Sequence, residues 1–136
     1  MKNILFLFSL SFLLLGAFSC TQPETSQEKA QIPNQKMLRH VVLFKFKDSS
    51  SIEDIQSVES AFRNLKNEIP EIKGFEWGTN NSPEGLNDGF THLFFVSFTS
   101  EEDRAVYLPH PKHKEFIEIL KPHLDKALVV DYWAEK

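Results

Sequence analysis

The chain has 136 residues, 41% of them hydrophobic and 12% aromatic, which is the make-up of one globular domain with a phenylalanine-rich core. Fifteen basic residues against 19 acidic ones give a net charge of −4 and argue against nucleic acid as a partner. A single cysteine excludes an internal disulfide framework, and no glycine-rich phosphate loop, Cys-based metal motif or internal repeat occurs.

In chain order, Met1-Lys2-Asn3 precedes an apolar run from Ile4 to Phe18. The run is shorter than the roughly 20 residues of a membrane span and reads as a secretory signal over residues 1–19. Ala17-Phe18-Ser19 meets the small-x-small rule for ordinary cleavage. With the lone Cys20, however, Ala17-Phe18-Ser19-Cys20 resembles a bacterial lipobox, with Ala17 and Phe18 in place of the usual Leu and small residue. The expectation is a lipidated Cys20, a membrane partner through that lipid, and a place in the bacterial cell envelope with the domain in the periplasm or at the cell surface. Ordinary cleavage after Ser19 is the alternative. Thr21 to Lys36 lacks aromatic residues and is rich in Gln, Glu, Ser, Thr, Asn and Pro, the composition of a tether. Such a coil averages roughly 20 Å end to end.

The domain is expected over residues 37–136. Leu38 to Lys47 alternates as a first strand with His40, Val42, Phe44 and Phe46 on one face. Ile52, Ile55, Val58, Phe62 and Leu65 recur at helical spacing in a helix that ends before Pro70. Ile72 to Thr79 is a second strand, followed by a polar loop long enough to cover a pocket mouth. In the third strand, Phe90 to Thr99, the even positions put His92 with Phe94, Val96 and Phe98, matching the parity of His40. If these strands are neighbours, both histidines project into one apolar space. Ser100 caps a short helix through Leu108, and Pro111 to Ala127 is a longer helix that Pro122 kinks or restarts. Leu128 to Ala134 closes the order as a final strand. The order β-α-β-β-α-β describes a ferredoxin-like α+β sandwich. Helices cover one sheet face, and a second copy of the chain is the natural cover for the other, giving a homodimer.

The densest chemistry lies in Tyr107-Leu108-Pro109-His110-Pro111-Lys112-His113. Pro111 suits the first turn of a helix, which puts His113 near its positive dipole end, where a neutral imidazole able to accept a proton is favoured. The simpler reading is that His-Pro only ends one helix and starts the next. A metal site of His40, His92, His110 and His113 is a further possibility, weakened by the proline between the last two.

Arg39-His40-Val41-Val42-Leu43-Phe44-Lys45-Phe46-Lys47, Gly89-Phe90-Thr91-His92, His110-Pro111-Lys112-His113 and Val129-Val130-Asp131-Tyr132 together resemble the stress-responsive dimeric α/β-barrel (Dabb) domain. The resemblance covers nearly all of Met37 to Ala134 and implies a dimeric α/β barrel. It also implies cofactor-free acid/base chemistry of the kind run by a plant polyketide cyclase of that family. In that reading His113 is the catalytic base, Tyr107 orients the substrate and supports its oxyanion, and His40, His92, His110 and Phe94 line the binding space for a small apolar or carbonyl-containing molecule. The alternative is a stress-response or ligand-binding module without turnover.

Overall fold

The computed structural model describes residues 36–135. The expectations for the signal, Cys20 and the tether up to residue 35 lie outside the described residues, among which no helix is long and apolar enough to cross a membrane.

Four strands and three helices run β1(Leu38–Phe46), α1(Ile52–Glu68), β2(Gly74–Thr79), β3(His92–Phe98), α2(Glu101–Tyr107), α3(Pro111–Leu120) and β4(Leu124–Trp133). All strand pairings are antiparallel, in the order β2-β3-β1-β4, and the helices lie on one face, as expected for a ferredoxin-like α+β fold. Strict alternation explains β1: Leu38, His40, Val42, Phe44 and Phe46 are buried against the helix layer, and the residues between them face the other side. α1 begins with a complete capping box between Ser51 and Asp54. Ile52, expected in its buried stripe, is instead 71% exposed, as the first residue after the N-cap. Val58, Phe62 and Leu65 do pack inward.

Phe62 stacks on Phe94 at 4.3 Å and lies 4.6 Å from Phe116, so the α1, α3 and β3 layers meet at an aromatic cluster. In the loop before β3, Gly89 adopts φ +79, a left-handed conformation that favours glycine, whereas the 2.9 Å approach of a Cβ to Lys45 Cε could be relieved by the flexible lysine chain.

The expected helix through Ala127 is corrected. α3 stops at Leu120 because Pro122 has no N–H to donate and fixes its own φ. A turn closes through the His123 N–H to the Leu120 carbonyl, the Lys47 N–H bonds the His123 carbonyl, and the freed segment pairs along β1 from Leu124. Leu124 is therefore the start of the edge strand and not a helical core residue.

Among the described residues, nothing covers the apolar far face of the sheet. In β4, Leu128, Val130 and Tyr132 share the face of Arg39, Val41 and Leu43, and all three are 44% to 47% exposed.

Candidate functional site

The break between α2 and α3 brings a phenol and an imidazole, and β1 a second imidazole, to a cavity of about 250 Å³, near the small end of ligand pockets. β1 supplies His40, Val42 and Phe44, the end of α2 supplies Tyr107 and Leu108, and α3 supplies His113 and Phe116. Val129 of β4 is half exposed at its rim. The lining is otherwise aliphatic or aromatic and contains no carboxylate or ammonium group.

Pro109 and Pro111 make the break. Leu108 ends α2, His110 adopts an extended ψ of 136 as the N-cap of α3, and Pro111 opens that helix without wasting an N–H. His113 then follows in the first turn, with its ring turned back over the break. Its Nδ1–H donates to the Leu108 carbonyl at 3.0 Å, since a carbonyl oxygen can only accept. That bond selects the tautomer and leaves Nε2 with its lone pair. Burial pushes the His113 pKa below the ordinary 6.5, with nearby His40 and His110 acting in the same direction and the Leu108 bond opposing. At neutral pH the ring is therefore uncharged and able to accept a proton.

Tyr107 is fully buried, with its ring 4.4 Å from His113, 5.2 Å from Phe98 and 5.8 Å from His40. Among the described residues its hydroxyl is the one buried side-chain polar atom without a hydrogen-bond partner. Burial also raises its pKa far above the ordinary 10.0, so the group stays a phenol and a donor. His40, itself buried, donates from Nδ1 to Asp131 Oδ1 at 2.7 Å, and Arg104 Nη1 donates to Asp131 Oδ2 at 2.6 Å.

The remaining expected site residues stand elsewhere, which corrects the single histidine-lined space anticipated above. His92 shares the parity of His40 but is four residues further along the sheet, opposite Phe44, while His40 is opposite Val96. At about 3.3 Å per residue that separates them by roughly 13 Å. His92 Nε2–H donates to Glu59 of α1 at 2.9 Å, and its Nδ1 is 2.8 Å from the Thr91 hydroxyl. It borders a separate depression of about 310 Å³ walled by Thr79, Asn80, Asn81 and Asn87. The polar loop after β2 thus covers that depression and not the His113 cavity. Phe94 is fully buried in the aromatic cluster and does not line the cavity. His110 caps α3 by accepting the Lys112 N–H on its Nδ1 at 3.2 Å. The capping role expected of Pro-His-Pro therefore falls to His110, while His113 lines the cavity. With His92 and His110 so placed, the four histidines do not converge, and among the described residues no three His, Cys, Asp or Glu side chains form a metal-binding group.

Asp131 and Arg104 were not singled out from the sequence. A signal was present for Asp131, an acid inside an apolar strand, although only the register places it directly beside His40.

Comparison with known proteins gives a consistent set. The family model described as the stress responsive A/B barrel domain, Dabb, matches residues 38–134. The stress-response A/B barrel domain-containing protein HS1 of Arabidopsis thaliana is 44% identical over 95 residues, covering 70% of this chain and 87% of that protein. Olivetolic acid cyclase of Cannabis sativa is 30% identical over 99 residues, 73% of this chain and 98% of that enzyme. Among solved structures, hydroxynitrile lyase from Passiflora edulis superposes with a TM-score of 0.70 at 31% identity, over 74% of this chain and 95% of its own. A dimeric protein of ferredoxin-like fold from Bacteroides fragilis gives 0.60 at 27% identity, over 72% and 96%.

Proposed function

The chain belongs to the stress responsive A/B barrel domain family, and from that premise we propose that its cavity binds a small apolar carbonyl compound and performs cyclase- or lyase-like acid/base chemistry on it with side chains alone. The observation that carries this reading is the buried, unpartnered hydroxyl of Tyr107 beside a neutral imidazole, in a cavity that is otherwise apolar. An orphaned hydroxyl costs stability in the empty protein and gains a partner only when an acceptor enters.

In the proposed reaction, Nε2 of His113 removes a proton next to the carbonyl, the C–H pair forms the enolate C=C bond, and the carbonyl π pair moves onto the oxygen. Tyr107 donates to the oxyanion that forms, in surroundings where few water dipoles compete. His40 forms the third polar part of the wall. The names of two relatives, a cyclase and a lyase, support this class of reaction without naming a substrate.

The test is deuterium incorporation from D2O into the carbon next to the carbonyl of phenylacetone, followed by NMR. His113→Ala should lower the protein-catalysed rate by about 10² or more while leaving the fold intact. An unchanged rate refutes the base assignment. A second reading, a binding module without turnover, draws on the apolar lining. A co-purifying ligand seen in native mass spectrometry and returned chemically unchanged would favour it.

The open apolar face and the dimeric Bacteroides fragilis neighbour support a homodimer joined through the sheets. Lipid anchoring in a bacterial envelope stays part of the proposal on the strength of Ala17-Phe18-Ser19-Cys20. Mass spectrometry of the mature N-terminus decides it, and an unmodified Cys20 rules it out.

A further inference from the structure

We propose that Asp131, clamped by Arg104, is a positioning residue that fixes His40 as its Nδ1–H tautomer and thereby presents Nε2 as a second acceptor at the polar end of the cavity. The inference rests on the acid/base reading above and extends it to residues outside the Tyr107–His113 segment.

Asp131 is the direct cross-strand partner of His40. Each of its oxygens has one donor, His40 Nδ1 on Oδ1 and Arg104 Nη1 on Oδ2. The carboxylate is only 28% exposed and the guanidinium 24%, so solvent competes weakly for either bond. A carboxylate accepts and does not donate, so Nδ1 carries a proton, and in the neutral ring the lone pair falls on Nε2. No described residue bonds that nitrogen, and His40 lines the cavity. Arg104 lies one helical turn before Tyr107 on α2. Its ion pair therefore also fastens the helix carrying the phenol to the edge strand, beside the longer Trp133 to Glu101 bond of 3.4 Å. The outcome is two imidazoles in the same tautomer, His113 set by a main-chain carbonyl and His40 by a held carboxylate, facing one phenolic donor.

The experiment uses the full chain labelled with ¹⁵N at histidine, the His40 signals being assigned with His40→Gln. Wild type should show His40 protonated at Nδ1. In Asp131→Asn its tautomer should move toward Nε2–H while His113 keeps Nδ1–H. In the phenylacetone exchange assay, Asp131→Asn should lose about tenfold or more in kcat with KM changed by less than about twofold. Arg104→Met should lose less in rate and broaden the His40 signals. His40 remaining Nδ1–H in Asp131→Asn, or being Nε2–H in wild type, overturns the proposal. If Asp131→Asn does not fold, Arg104→Met decides, and His40 signals identical to wild type overturn it. Absence of exchange in wild type would sink the acid/base reading while the tautomer result still judges the positioning.

Discussion

Replacing Tyr107 by Phe separates the demands of folding from those of a binding site. The side chain is fully buried, and its ring packs on Phe98, His40 and His113, contacts that Phe keeps. The oxygen removed is the one that lacks a partner. A buried hydroxyl without a hydrogen bond costs about 1–3 kcal/mol, so the empty protein should become more stable by a similar amount. For a domain of this size each kcal/mol moves Tm by about 4–8 °C. Urea and thermal unfolding of the ligand-free protein measure the gain. The same variant should lose about 10²- to 10³-fold in exchange of phenylacetone if the phenol supports the oxyanion. A Tyr107→Phe protein less stable than wild type by about 1 kcal/mol would mean that the hydroxyl is satisfied in the folded state. The orphan-donor argument would then fail. A stabilised variant with full activity would instead remove Tyr107 from the reaction.

Further outcomes follow from the same geometry. Because burial lowers the pKa of His113 below 6.5, the unfolded chain binds more protons than the folded one just under that pH. Stability should therefore fall as pH drops from 6.5 toward the folded-state pKa, and His113→Gln should flatten that part of a denaturation series. An unaltered pH profile would place the ring in solvent. Exchange activity of wild type should stay level from neutrality down to below pH 6.5 before its acid limb appears. On the uncovered sheet face, Val130→Asp should shift the sedimentation coefficient from dimer to monomer, and a dimer unaffected by the charge would locate the interface elsewhere.

The alternation of β1 and β3 was readable from their residues because each has one face against the helices, and the pairing of the two strands followed from the element order. The site was only partly readable. Parity reports which face a side chain takes and not how far along the strand it sits, so His92 was grouped with His40 although they stand at opposite ends of the sheet. Tyr107 and His113 could be paired because one short break carries both. Asp131 could not be, since its contact with His40 depends on a register across 91 residues of sequence. The start of β4 was misplaced because Leu124 fits a helical stripe and a strand equally well, and the decision falls to Pro122 and to the open edge of β1.

The acceptor that holds His113 belongs to the backbone at Leu108. No side-chain replacement can delete it, so the orientation of this imidazole should tolerate drift in the side chains around it as long as the prolines that make the break are kept. Changing the number of residues between Leu108 and His113 is the alteration that would break it. Residues across the opening, Ala127 and Val129 on the edge strand, carry no such duty. A lineage, or an engineer, could redraw the shape of the opening there and acquire new ligands with the proton acceptor left in register, provided the span from Leu108 to His113 stays free of insertions and deletions.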